Sequence, residues 1–178
     1  MMHIKNTEKR FGVVAISLHW VMAIIMIGLL VLGLYMTGLP NSDSKFGLYD
    51  IHKEFGILIL GLVCLRISWR LANVVPPLTS IGRLEHALAW FVQWALYFCM
   101  FAMPLSGLFM TSAAGYQAHF FGWAVPSVME PNKALAPVFA FIHEWLGYSL
   151  IALIVLHALG AIKHHFYDKT DILKRMSF

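Results

Sequence analysis

The 178-residue chain is 60% hydrophobic and only 12% charged, with a formal net charge of +4 and a mean hydropathy of +0.72. Ordinary soluble domains hold about 45–50% apolar and about 25% charged residues, so an ordinary soluble domain is excluded and lipid is expected as part of the solvent. The two cysteines, Cys64 and Cys99, lie in apolar runs with no C-x-x-C or C-x-x-C-H spacing, which argues against a covalently attached haem and against a disulfide framework.

The expected fold is all-α: an integral membrane four-helix bundle in a single domain, residues 1–178. No linker, charge block or repeat divides the sequence. The basic start (Lys5, Lys9, Arg10) followed by an apolar run has the look of a signal peptide. The run is far longer than the 7–15 residues of a cleavable core, so it reads as a retained helix. Helices are expected at about 11–36, 49–71, 84–113 and 135–166, each long enough at ~1.5 Å per residue to cross a ~30 Å hydrocarbon layer. Pro104 should kink the third, and Pro137 suits the first turn of the fourth. The loop at 114–134 carries Tyr116, Phe120, Phe121 and Trp123, aromatics suited to a membrane interface.

Lysine and arginine distribute unevenly. Lys5, Lys9 and Arg10 precede the first helix, Arg66, Arg70 and Arg83 surround the link between the second and third, and Lys163, Lys169, Lys174 and Arg175 end the chain. The opposite side has Lys45, Lys53 and Lys133. Positively charged segments stay inside, so both termini are expected in the cytoplasm of a bacterial inner membrane.

Ionisable residues within spans are costly and mark function by default. Of the nine histidines, His3, His164 and His165 belong to the tails, His119 to the long loop, and His86 to the start of the third helix. His19, His52, His143 and His157 remain, and they sort by depth. His19 and His157 fall in the cytoplasmic half, His52 and His143 in the periplasmic half. His143 and His157 are fourteen residues apart, about four helical turns and ~21 Å on one face. Small residues accompany all four: Gly56 after His52, Gly147 after His143, Ala15 and Ala23 around His19, and Gly160 and Ala161 after His157. They leave room for a flat macrocycle, or simply for close helix packing. Imidazole suits iron, copper and zinc, and zinc usually takes four ligands. Two histidines at each depth, without a carboxylate or thiolate, fit two axially ligated haems. One haem, a proton relay or structural histidines are the other readings of the same residues.

The sequence resembles the bacterial cytochrome b561 family, which includes the cytochrome subunits of nickel–iron hydrogenases. The resemblance rests on Ser17-Leu18-His19-Trp20, His52 through Gly56, Met103-Pro104-Leu105-Ser106-Gly107, His143 through Tyr148, His157 and the tail from Lys163 to Asp168, in family order along nearly the whole chain. It implies two b haems between four helices, with His19, His52, His143 and His157 at the ligand positions. It also implies electron exchange with ubiquinone, and in one branch oxidation of periplasmic superoxide.

The expected function is therefore a haem-dependent membrane oxidoreductase carrying electrons between a periplasmic donor, superoxide or a redox protein, and the ubiquinone pool. The alternative is a membrane-anchor subunit relaying electrons for a partner dehydrogenase or hydrogenase. A non-redox transport or scaffold protein is the third reading. Membrane lipid is an expected partner and nucleic acid is not. His86, Arg66, Arg70 and Lys53 are candidate contacts for quinone or haem propionates. Ordinary positive-inside roles compete for the arginines, and an interfacial snorkelling role competes for Lys53. The periplasmic side has more acidic than basic residues, so bulk charge would not steer the superoxide anion there.

Overall fold

The computed structural model describes residues 3–77 and 81–177 and is mostly helical. Four long helices follow one another: α1 (Val13–Thr37), α2 (Asp43–Leu71), α3 (Arg83–Ala113) and α4 (Ala136–Ile162). A hairpin of β1 (Ala118–Phe120) and β2 (Trp123–Val125) lies between α3 and α4, and a π-helical turn (Lys163–Tyr167) and the short α5 (Ile172–Arg175) follow α4.

The second helix starts at Asp43, before the expected position near 49. Ser42 causes this: its side chain accepts from the Lys45 amide at 3.3 Å and caps the helix, with Asp43 in the first turn. Lys45 is buried, and its ammonium donates to the Leu39 carbonyl at 2.7 Å, closing the α1–α2 link. The loop after α3 is more ordered than its aromatics suggested. Phe121 (φ 46°) and Gly122 (φ 89°) form a two-residue turn with positive φ at both positions, the arrangement that matches strand twist. Phe121 packs edge-on against Phe55 of α2, centroids 5.6 Å apart.

Three of the four helices, α1, α3 and α4 with its π-turn, are long and apolar enough to cross a membrane. α2 departs from the expectation of four equivalent spans. It carries Asp50, Lys53 and Glu54 toward one end and Arg66 and Arg70 toward the other, so its uncharged stretch is shorter. Outward faces are apolar: Ile24, Val31, Phe98 and Phe141 are each more than 60% exposed, as expected where lipid covers the surface.

α3 packs closely on both α2 and α4, and α1 packs on α2, whereas the α4 backbone makes at most a marginal approach to α1 or α2. Side chains bridge the remaining space in layers. Met22, Ile59 and Val63 form one between α1 and α2. Met26, Cys99 and Leu150 form another joining α1, α3 and α4. Leu150 is 1% exposed and stands seven residues from both His143 and His157.

One end of the bundle gathers the N-terminal segment, the α2–α3 link and the C-terminus. Asn6 donates to the Val74 carbonyl at 2.9 Å, Arg10 to the Lys174 and Ser177 carbonyls at 3.1 Å, and Arg175 to the Pro77 carbonyl at 2.9 Å. Trp20 of α1 donates its indole N–H to the Met176 carbonyl at 2.8 Å.

Candidate functional site

α1, α2 and α4 bring the four histidines into two facing pairs. His19 of α1 and His157 of α4 have ring centroids 6.2 Å apart, and His52 of α2 and His143 of α4 have centroids 6.1 Å apart. Two imidazoles on opposite sides of one metal ion, with metal–nitrogen bonds of about 2.0 Å each and ~1.1 Å from nitrogen to ring centre, stand about 6 Å apart, whereas a tetrahedral angle would bring them to about 5 Å. Both pairs have that spacing. Among the described residues no third His, Cys, Asp or Glu completes a ligand cluster with either pair. A tetrahedral zinc site is therefore not assembled, whereas a metal whose equatorial positions are filled by a macrocycle needs only the two axial nitrogens.

The pairs bridge the gap between α4 and the α1–α2 layer. A cavity beside His52 and His143 is lined by Gly56, Met100, Met103 and Pro104. A Cβ added at Gly56 or Gly160 would meet nothing within 4 Å, so these residues border open space. Two further glycines support the rings from across the bundle. A Cβ on Gly107 would lie 3.2 Å from His143 Cε1, and one on Gly33 would lie 3.4 Å from His52 Cε1. Gly33 was not legible as part of the site, because its role depends on α1 facing His52, which sequence spacing along one helix does not reveal.

The second ring nitrogens differ in their partners. His143 Nδ1 lies 3.0 Å from the Met103 carbonyl oxygen, which can only accept, so Nδ1 carries the proton and Nε2 is left with a lone pair for a ligand. Ser106 Oγ, 3.0 Å from the same nitrogen, also donates to Met103 O at 2.6 Å. Among the described residues, His52 Nδ1 is buried without a hydrogen-bond partner. His19 Nδ1 lies 3.3 Å from an Arg66 guanidinium nitrogen, and Arg66 also donates to the Ala15 carbonyl at 3.1 Å. His157 is exposed in the isolated chain, since α4 presents it where α1 is not in close contact.

The other candidate residues separate. Arg66 and Arg70 line a common hollow with Asn6, Ala15, Trp69 and Tyr97. Arg70 donates to Gln93 at 2.8 Å and lies over the Trp94 and Tyr97 rings. Lys53 pairs with Asp50 at 2.6 Å, and His86 is exposed at the start of α3. His164, read from the sequence only as a tail residue with a solvated or interfacial role, is largely buried. It is 9% exposed, and its Nδ1 lies 2.6 Å from an Asp168 carboxylate oxygen. The π-turn causes this by curling the chain back, so that Thr170 donates twice to the His164 carbonyl. Lys163 joins Glu85 and Asp168 beside it. Together they hold the Asp168 carboxyl below its usual range, Lys163 contributing most and His164 next.

The model of the family described as prokaryotic cytochrome b561 matches residues 10–178. The chain belongs to that family. Cytochrome b561 proteins are membrane haem b electron carriers, and the paired imidazoles fit such a group. The chain is 37% identical to cytochrome b561 homolog 2 of Escherichia coli (strain K12), covering 98% of this chain and 95% of that protein. It is 27% identical to the probable superoxide oxidase CybB of Yersinia pestis, covering 95% and 96%. It is also 28% identical to cytochrome b561 homolog 1 of Escherichia coli (strain K12), covering 94% and 96%.

Proposed function

We infer that this cytochrome b561 protein binds two b haems, one between His52 and His143 and one between His19 and His157. It carries electrons between a periplasmic donor and the ubiquinone pool of a bacterial inner membrane. The observation that carries this reading is the repeated centroid spacing, 6.1 and 6.2 Å, at two levels of α4. Haem b, when bound, would supply one-electron exchange between ferric and ferrous iron. The chain's own residues hold the His143 ring through the Met103 carbonyl and keep the two sites apart with the Met26–Cys99–Leu150 layer.

Charge and connectivity together support a reading of four spans with both termini cytoplasmic. The gathered end of the bundle carries Lys5, Lys9, Arg10, Arg66, Arg70, Arg83, Lys163, Lys169, Lys174 and Arg175, the pattern retained on the cytoplasmic side. The charged ends of α2 sit where interfaces would lie, and its long basic side chains are satisfied within the bundle, Arg66 on Ala15 O and Arg70 on Gln93. The name of the Yersinia pestis relative favours superoxide as the donor. The hollow beside Arg66, Arg70 and Trp69 offers donors to a quinone carbonyl in an apolar setting.

The purified protein should show b-type reduced-minus-oxidised bands and two haems per chain by pyridine haemochrome. A folded protein without haem overturns the reading. Stopped-flow mixing of the oxidised holoprotein with superoxide, with and without ubiquinone, tests the donor and acceptor. Fast haem reduction followed by quinone-dependent reoxidation is expected. Absent reduction would instead favour a relay subunit serving a partner dehydrogenase or hydrogenase.

A further inference from the structure

The two pairs share one spacing but differ in the charge behind them. The His143 ring donates to the Met103 carbonyl at 3.0 Å. Such an acceptor makes an imidazole more basic and a stronger electron donor to a metal, which favours the oxidised state. On that side Lys45 is tied to the Leu39 carbonyl at 2.7 Å, and among the described residues no basic side chain is hydrogen-bonded to either ring. Lys53 is paired with Asp50, Glu144 accepts from Tyr148 at 3.1 Å, and Glu54 adds a further negative charge on α2.

The His19 ring has the opposite neighbour. A guanidinium offers only donors and does not lose its proton, so against Arg66 the Nδ1 atom accepts. Binding a metal through Nε2 requires the proton on Nδ1 instead. The ring then has nothing to offer Arg66, while the bond from Arg66 to Ala15 O at 3.1 Å still anchors the guanidinium beside it. What remains is a fixed positive charge next to one ligand, partly buried against α1, where charge is screened less than in open water. Reduction removes one positive charge from the iron, so this neighbour favours the reduced state.

We propose that Arg66 is a positioning residue that makes the His19–His157 site the higher-potential of the two, so that an electron shared between the sites resides there. The proposal rests on the two-haem reading. It makes the His52–His143 end the entry side and the Arg66 end the exit side, by electrostatics built into the helices.

Equilibrium redox titration of the holoprotein, followed by visible absorption with haem content measured in parallel, tests it. The wild type should show two components. H52A should lose the lower-potential component, and loss of the higher one overturns the proposal without any Arg66 variant. In the H52A background, R66Q should shift the surviving haem toward oxidation by about tenfold in its reduced-to-oxidised ratio, ~59 mV for one electron. R66K should keep most of the wild-type potential. Full haem content with an unchanged potential in R66Q overturns the role of Arg66, as does an equal shift from R70Q. Absence of haem from the wild type is a different outcome and overturns the two-haem reading.

Discussion

A Cβ placed on Gly107 of α3 would stand 3.2 Å from Cε1 and 3.4 Å from Nδ1 of His143 on α4. The ring is held from behind by the Met103 carbonyl, so it cannot retreat without breaking that bond. G107A should tilt the ring by a few tenths of an ångström and broaden or shift one haem's spectrum. G107V should empty the His52–His143 site and leave the other, giving about one haem per chain. G33A, with its nearest contact at 3.4 Å, is expected to bind both. Pyridine haemochrome on the three variants checks the order, and full haem in G107V would sink it.

The pairing itself is testable by single replacements. H52A and H143A should each remove the same haem, and H19A and H157A the other, because on the proposed two-haem reading each pair shares one metal position. Spectra of the four variants should therefore fall into two classes of two. A class joining His19 with His52 would require a different arrangement of α1 and α2 around α4.

Much of this site was legible because depth along a helix depends only on residue counting. His143 and His157, fourteen residues apart, had to share a face, and their partners followed from the charges that bracket the apolar runs. What counting cannot reach is contact across helices. Gly33 beside His52 and Arg66 beside His19 depend on the rotation of neighbouring helices. The early start of α2 did have a signal in Ser42 and Asp43, but the apolar pattern begins later and masked it. The burial of His164 depends on a π-turn, whose i→i+5 bonding leaves no simple mark in residue type.

Leu150 lies 1% exposed in the layer between the two histidine levels, touching Met26 and Cys99. In lipid its contribution is packing, since hydrocarbon surrounds the bundle in any case. L150A should leave a cavity and cost about 2–5 kcal/mol, the range of such truncations in close-packed cores. The expected result is a lower thermal midpoint in detergent with both haems retained at low temperature. An unchanged midpoint would mean that the layer can collapse onto the gap.

The tail beyond α4 is clasped by Asp168, which accepts from Lys163 at 2.9 Å and lies 2.6 Å from His164 Nδ1. Because the Asp168 carboxyl is held below its usual range, its contribution is fully present above the unfolded value. It is lost as pH falls through the lowered one. The clasp should therefore hold at neutral pH and weaken only below about pH 4. D168N should weaken it at pH 7, leaving Lys163 paired with Glu85 alone. Hydrogen exchange of residues 163–175 in the detergent-solubilised protein reads this directly. Faster exchange, corrected for intrinsic rates, is expected in D168N at pH 7 and in the wild type only in acid. Equal protection in both proteins at pH 7 would show that the two Thr170 bonds to the His164 carbonyl hold the turn without the ion pair.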